Sequence, residues 1–593
     1  MRSRSPPTTT RRLRGSAAAF TSASASTPSA AAPAPTGLLA LPDDILTAIC
    51  AAAGQAELPA LRLSCTGLLG PANAAARRLC LRRASRLHCS LSSFHGAKDI
   101  VIEDWTEGWL EEVVQALPGV DSLRLGRLQP VTSATAAALA RLPRLRRLDC
   151  TGGSLTEGAV AALATLPLSL TSLSLRECCS LSDARLAALL AGLPGLKEAD
   201  LSLCAQLGDG ALAQLGRCTQ LAKIDLTGCE RFSELGLRQL ASAPIRTLLV
   251  SACCQLTDGC LEAIAAGMPR LACLGLFEAG EEVTDAGLAH LASLRGSLTA
   301  LDMGYSTWSH TPAGLQQLLA RLTGLRLLNI GGCEGTTDAV VATVAQHCRQ
   351  LTQLDVSESQ RVTAAGVGQL GKLPALLELN LGWNIRLRDC WLEGLPPCLT
   401  RLDLSFCGEL TDGALRHLGA RLPGLASVTL RKCGRITEAG LSHLSACTAL
   451  SHLDLSHCQH ITGLAPLRTL RALASLVLVD ASRALHPPCM ALLAELPALR
   501  AVEISSKRLD DGCMQALSHA SQLTSLALSS CPRVSERGLL ALCRSRGLRA
   551  LAIDRCPQLT ERPAALEQLQ RRLPLLRLAR PPSRPTAAAL LEY

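Results

Sequence analysis

The chain has 593 residues, of which 48% are hydrophobic, 18% charged and only 2% aromatic, so it is long enough to bury a large core. Its formal net charge of +10 is concentrated at the termini and in Arg77 to Arg86, without a basic stripe interleaved with aromatic residues, so we expect no nucleic-acid partner. Every apolar run is shorter than the roughly 18 residues that a membrane helix needs, so we expect no membrane segment.

Cysteine usage bears on the compartment. The 27 cysteines form no C-x-x-C pair, and we recognise no secretory signal, so a reducing cytoplasmic or nuclear setting is expected.

Residues 1–36 are rich in Ser, Thr, Ala, Pro and Arg and contain no acid, which predicts a low-complexity tail that does not fold by itself. The same composition is typical of an organelle transit peptide, and both interpretations stay open.

A small helical domain is expected over residues 37–86. An apolar residue recurs every four positions at Leu41, Ile45 and Ile49, which is typical of one helix face, and Pro42 suits the helix start. This segment resembles the F-box, whose pattern opens with Leu-Pro, one or two acids, a Leu/Ile pair and an Ile. The resemblance implies that a Skp-type adaptor binds Leu41, Pro42, Ile45, Leu46 and Ile49. From the apolar pattern alone, a helical cap protecting the first repeat is the alternative.

One sequence unit then recurs 18 times over residues 120–574, at a spacing of 23 to 27 residues. Each copy opens with L-x-x-L-x-L, as at Leu399, and this pattern predicts a short strand. The second half spaces its leucines by three and four, which predicts a helix. Residues 87–119 are expected to form a cap or atypical repeat, and 575–593 a C-terminal tail. The copies begin at Val120, Leu145, Leu170, Leu196, Leu221, Ile245, Leu271, Leu298, Leu325, Leu351, Leu376, Leu399, Leu425, Leu450, Leu473, Leu499, Leu523 and Leu548.

Cysteine occupies the ninth position in ten of the 18 units, and Asn384 takes that place in one other. A small buried side chain suits the turn after the strand, so we expect these thiols to pack in the core. A zinc cluster at His457, Cys458 and His460 is disfavoured, because Cys458 is a repeat cysteine and the spacing fits no usual finger. No metal or cofactor is expected.

The patterns L-x-x-L-x-L-x-x-C and L-T-D-x-G-L resemble the cysteine-containing leucine-rich repeats known from F-box proteins. The resemblance implies an α/β solenoid, a right-handed horseshoe with parallel inner strands and outer helices. It also implies a non-catalytic substrate-recognition subunit of a Skp–cullin–F-box ubiquitin ligase, holding an unknown protein substrate on its concave face. P-loop, H-E-x-x-H and G-x-S-x-G motifs are absent from the sequence, in keeping with a non-enzyme. The competing interpretation is a leucine-rich-repeat scaffold or regulatory protein without a ligase role.

Two residue sets mark a candidate substrate site. Aspartate recurs at the fifth position of seven units, where it either bonds locally or meets a basic substrate segment. Five of the 12 aromatic residues crowd the strand ends of six consecutive units, either as binding anchors or as core fillers. The predicted substrate-binding residues are Phe277, Tyr305, Trp308, Trp383, Phe406, Asp302, Asp355 and Asp403.

Overall fold

The fold is described by a computed structural model, which covers residues 78–81, 96–102, 106–126, 130–153, 155–165, 169–306, 309–481, 483–560, 563–573 and 576–579. The predicted N-terminal tail, the five predicted adaptor-binding residues and Trp308 lie outside the described residues. The predicted boundaries between tail, helical domain and repeats therefore stay predictions.

Within the described residues, 21 strands form one parallel sheet in which each strand pairs with the next one along the chain. Neighbouring strands pair in register, with residues at the same position of their units opposite each other. Leu402 pairs with Val428, and Val428 pairs in turn with Leu453 on the following strand. The strands are β1 Arg78–Leu81, β2 Asp99–Ile102, β3 Ser122–Leu125, β4 Arg147–Asp149, β5 Ser172–Ser174, β6 Glu198–Asp200, β7 Lys223–Asp225, β8 Thr247–Leu249, β9 Cys273–Gly275, β10 Ala300–Asp302, β11 Leu327–Asn329, β12 Gln353–Asp355, β13 Glu378–Asn380, β14 Arg401–Asp403, β15 Ser427–Thr429, β16 His452–Asp454, β17 Ser475–Val479, β18 Ala501–Ser505, β19 Ser525–Ser529, β20 Ala550–Asp554 and β21 Arg577–Ala579.

Helices alternate with the strands. They are α1 Glu107–Ala116, α2 Ser133–Leu139, α3 Glu157–Leu163, α4 Asp183–Ala191, α5 Asp209–Gly216, α6 Glu234–Leu240, α7 Asp258–Gly267, α8 Asp285–Leu291, α9 Pro312–Arg321, α10 Asp338–His347, α11 Ala364–Gln369, α12 Asp412–Arg421, α13 Glu438–Leu441, α14 Pro487–Ala494, α15 Asp511–Leu517, α16 Glu536–Ala541, α17 Pro557–Thr560 and α18 Pro563–Arg572. Short 3₁₀ segments replace or extend helices at Ala292–Gly296, Leu370–Lys372, Asp389–Gly394, Ser442–Ala446, Ala465–Thr469 and Leu542–Arg544.

This architecture confirms the predicted α/β leucine-rich-repeat solenoid. Packed helices need about 8–10 Å each, whereas neighbouring strands need about 4.8 Å, so stacked units curve with the strands on the inner face. The apolar residues of strands and helices meet between the two layers in one continuous core. Strands β3 to β20 correspond to the 18 predicted units.

The sheet also continues beyond those units at both ends. Strands β1 and β2 pair ahead of the first unit, and β21 pairs with β20 after the last one. β1 lies inside the range predicted to be helical, and β21 lies inside the predicted C-terminal tail. Both extend the ladder because a parallel edge strand leaves unpaired backbone groups that one further strand can satisfy.

The ninth-position cysteines lie in the core, as predicted. Their thiols donate hydrogen bonds to backbone carbonyls of the preceding unit, as from Cys433 Sγ to Leu404 O at 3.1 Å. Burial raises the pKa of Cys407 to about 12 and likewise raises that of most other repeat thiols, which keeps them protonated at neutral pH. Asn384 fills the same place by donating to Val356 O at 3.0 Å and Leu381 O at 2.9 Å. In these eleven units position nine therefore holds a small donor that reaches back one repeat.

Candidate functional site

The candidate site lies where the strands end, at the eighth position of each unit. In 16 of the 18 units the chain turns away from the sheet there with a positive φ, which Gly332 (φ 70°) supplies without strain. Three of the predicted aromatic residues occupy the same conformation: Tyr305 at 54°, Trp383 at 60° and Phe406 at 61°. The local backbone follows from the sheet, because the N–H of Trp383 donates to Ser405 O of the next unit at 2.7 Å.

Trp383 and Phe406 form one aromatic pair. Their ring centroids are 3.6 Å apart with an interplanar angle of 10°, so the two rings are stacked face to face. The ammonium of Lys432 lies 4.7 Å from the Phe406 centroid, within range of a cation–π interaction. Trp383 is 45% exposed and Ile385 beside it is 57% exposed, so this pair belongs to a partly apolar surface.

Phe277 and Tyr305 form a second, more enclosed pair. Their centroids lie 5.4 Å apart at 56°. The Tyr305 ring covers Gly332 of the next unit, where an added Cβ would lie 2.8 Å from the ring. Burial and the nearby Glu358 carboxylate raise the pKa of Tyr305. Tyr305 therefore ties its own unit to the following two.

The structure thus separates the predicted aromatic group into two pairs. Phe277 and Tyr305 come from the units of β9 and β10, and Trp383 and Phe406 from those of β13 and β14. Three strand steps, about 14 Å, separate Tyr305 from Trp383. That these residues contact a partner stays a prediction.

The three predicted aspartates lie on strands β10, β12 and β14, and each accepts a hydrogen bond from the backbone N–H two residues later. The acceptor–donor pairs are Asp302 with Gly304 at 3.1 Å, Asp355 with Ser357 at 2.8 Å and Asp403 with Ser405 at 2.7 Å. These bonds hold the turn that follows each strand. The carboxylates therefore have a structural task whether or not they contact a substrate.

Asparagines separate these aspartates along the sheet. Asn329 lies between Asp302 and Asp355, and Asn380 lies between Asp355 and Asp403. Asn380 Nδ2 donates to Asp355 Oδ2 at 2.7 Å, so the neutral amide bridges rather than repels its neighbour. Burial raises the pKa of Asp355 and Asp403, and it raises that of Asp302, which is 2% exposed, to about 7.

Sequence reasoning missed Glu358, Gln360 and Lys432 as neighbours of the aromatic residues. Glu358 and Lys432 also stand at the eighth position and have positive φ values of 51° and 58°. Their shared position in the repeat could therefore have identified them from the sequence. Gln360 carried no such signal, since its contact with the carbonyl of Trp383 depends on a side-chain conformation.

The described residues contain no group of three or more His, Cys, Asp or Glu side chains arranged to hold a metal ion. In the same part of the chain, none of the helices has both the length and the apolar character required to cross a membrane. The strand-end surface offers aromatic area and charge, which are means of binding another protein.

Comparison with known proteins gives several similarities. A family model described as "Leucine Rich repeat" matches residues 396–418. The putative RNA-binding protein EEED8.10 of Caenorhabditis elegans is 29% identical over 181 residues, which make up 30% of this chain and 23% of that protein. This chain therefore matches only 23% of the relative's length.

Two solved structures are also similar. An internalin from Listeria monocytogenes has 19% identity and a TM-score of 0.37, covering 61% of this chain and 94% of that one. The Rad7 and Elc1 complex of yeast has 15% identity and a TM-score of 0.38, covering 73% and 86% of the two chains. The repeat pattern, the parallel sheet and the matched repeat model together show a leucine-rich-repeat solenoid, a fold that generally serves as a non-catalytic scaffold for protein–protein interaction.

Proposed function

We propose that this chain is the substrate-recognition subunit of a Skp–cullin–F-box ubiquitin ligase. The observation that carries the proposal is the order of the two sequence patterns: a segment resembling an F-box directly precedes cysteine-type leucine-rich repeats. In this assignment Leu41, Pro42, Ile45, Leu46 and Ile49 bind the Skp-type adaptor. The repeats hold a protein substrate for ubiquitin transfer by other subunits, and the chain performs no chemistry itself.

The proposed substrate site is the strand-end surface of Trp383 and Phe406, together with the second aromatic pair and the three aspartates; Trp308, outside the described residues, is included from the sequence prediction alone. Its support is the exposed stacked pair, because aromatic residues with accessible faces supply much of the binding free energy at protein interfaces. The competing function is a leucine-rich-repeat scaffold that binds protein partners without a ligase. That function would use the same surface but leave residues 41–49 without an adaptor.

Co-purification of the Skp adaptor and cullin with the tagged full chain tests the assignment. The double variant Ile45→Asp/Leu46→Asp should abolish adaptor recovery, because a carboxylate placed in an apolar helix groove is desolvated without a partner. The matched control is Leu235→Asp/Leu377→Asp, which makes the same kind of change at two exposed repeat positions and should leave recovery unchanged. Equal adaptor recovery from both double variants, or none from the wild-type chain, would favour the scaffold instead.

A further inference from the structure

Trp383 is one end of a three-layer stack. Its indole covers one face of the Phe406 ring at a centroid distance of 3.6 Å. The Lys432 ammonium, 4.7 Å from the Phe406 centroid, therefore lies over the opposite face. The three layers are, in order, the Lys432 ammonium, the Phe406 ring and the Trp383 indole. The outer face of the indole, which is the face turned away from Phe406, forms the end of the stack opposite Lys432. Trp383 is 45% exposed, which leaves area for a partner to cover.

The backbone of Trp383 is held in place from both neighbouring units. The backbone N–H of Trp383 donates to Ser405 O at 2.7 Å, and its carbonyl accepts a hydrogen bond from Gln360 Nε2 at 2.8 Å. Ile385 N–H donates to the same carbonyl at 3.0 Å. A side chain on such a fixed backbone loses little conformational freedom when a ligand covers it, which favours binding.

An exposed carboxylate stands in the preceding unit. Glu358 has the same left-handed conformation as Trp383, and its backbone N–H donates to Gly382 O, one residue before the indole, at 2.9 Å. Its side chain is close enough to the Tyr305 hydroxyl to raise the pKa of that hydroxyl. A carboxylate has about four acceptor positions, so capacity remains for a further donor.

We propose that the outer face of Trp383 and the carboxylate of Glu358 together receive an arginine side chain of the bound protein. This inference rests on the proposed function only in requiring a protein partner at the strand-end surface. A guanidinium stacks on an indole and donates in-plane hydrogen bonds to a carboxylate, and both groups are available here. The chain already contains the corresponding arrangement, because Lys432 covers the other end of the stack with its own cation.

Arginine fits this site better than lysine. Its planar group can lie on the ring while its edge faces the carboxylate, and it is more weakly hydrated than an ammonium group. The flanking aliphatic side chain of Ile385 suits an apolar residue next to that arginine. The expected ligand is therefore a peptide segment with an arginine beside an apolar residue.

A peptide-display library selected on the purified full chain, with Trp383→Gly as the counter-selection target, supplies a probe without knowledge of the natural substrate. We expect the Trp383-dependent peptides to share an arginine. Replacing that arginine by citrulline, which keeps its shape but removes its charge, should weaken binding about tenfold in calorimetry. Glu358→Gln should weaken the arginine peptide similarly. The control Glu378→Gln should not, because that carboxylate already pairs with Arg401 at 2.9 Å.

The proposal is overturned if the selected peptides lack a cation, if citrulline leaves the affinity unchanged, or if no Trp383-dependent peptide emerges. Adaptor co-purification separates this outcome from the ligase assignment, since it depends on residues 41–49 and not on Glu358. Arginine-dependent binding without adaptor recovery would remove only the ligase role. Adaptor recovery without arginine dependence would remove only this inference.

Discussion

The carboxylate of Asp412 at the start of α12 accepts two hydrogen bonds from Thr437 in the following unit, from its backbone N–H at 2.8 Å and from its hydroxyl at 2.6 Å. Thr437 in turn caps α13 by accepting the N–H of Ala439. The first residue of one helix therefore holds the residue that caps the next helix. The same link joins Asp209 to Ser233, Asp258 to Thr284, Asp285 to Thr311, Asp338 to Thr363, Asp389 to Thr411 and Asp511 to Ser535.

Removing one such link should destabilise the repeats. Asp412→Ala leaves a partly buried N–H and hydroxyl of Thr437 without their acceptor, which costs about 1–3 kcal/mol. The control Glu409→Ala, in the same unit, breaks only an exposed ion pair with Arg435 and should cost less than about 1 kcal/mol. Chemical unfolding followed by circular dichroism compares the two, and equal losses would show that the link contributes nothing beyond surface charge.

The glycine of the repeat pattern makes room for this aspartate. A Cβ added at Gly440 would lie 2.2 Å from Asp412 Oδ1, so Gly440→Ala should cost about 1–3 kcal/mol through displacement of the carboxylate. Gly424→Ala is the matched control, because its added Cβ meets nothing within 4 Å. Combining Gly440→Ala with Asp412→Ala should cost less than the sum of the two, and simple additivity would contradict the steric explanation.

Trp383 should be dispensable for stability but not for partner binding. Both Trp383→Ala and Trp383→Gly remove the stacked indole, and each should weaken the partner's affinity by about 2 kcal/mol or more. Because the φ of 60° suits glycine, the glycine variant should melt no lower than the alanine variant. Calorimetry and thermal melting on the same samples measure both effects. A large fall in melting temperature with unchanged affinity would identify Trp383 as a structural residue.

Tyr305 should behave differently from Trp383. Tyr305→Ala removes the ring contacts with Phe277 and Gly332, so it should lower the free energy of unfolding by about 3 kcal/mol or more. The partner affinity of the folded variant then tells whether Tyr305 also belongs to the interface, for which a loss of about 2 kcal/mol is expected. Chemical unfolding that leaves Tyr305→Ala as stable as Trp383→Ala would contradict the enclosed packing.

Asp302 should make stability depend on pH. Burial raises its pKa from 3.8 to about 7 in the folded chain, so the folded state retains a proton that the unfolded chain releases. Its contribution to stability is therefore fully present below pH of about 4 and is lost as the pH rises to about 7. Asp302→Asn removes this titration, and asparagine holds the same turn at Asn329 and Asn380.

The measurement is the stability difference between Asp302→Asn and wild type in urea, taken from pH 4 to pH 8. The free energy of unfolding of Asp302→Asn, relative to that of the wild type, should rise steadily from pH 4 to pH 8. Asp454→Asn serves as the comparison at a fifth position on β16 that is only partly buried. A difference that stays constant with pH would mean that Asp302 is ionised throughout.

The sequence by itself determined the features that repeat within one unit. The leucine spacing separates strand from helix, and the ninth-position cysteine is identified as a core residue, because each property follows from local periodicity or side-chain size. A prediction based on such a pattern needs no knowledge of what lies beside the unit. For the same reason the fold class was predicted correctly.

Only the tertiary structure decided which residues of different units meet. The link from Asp412 to Thr437 and the space that Gly440 leaves for it join residues about one repeat apart, so neither was evident from the unit alone. The aromatic group, continuous along the sequence, separates into an enclosed pair at Tyr305 and an exposed pair at Trp383. That division depends on which neighbour each ring covers, glycine in one case and phenylalanine in the other, and stacking of the repeats brings those neighbours into contact.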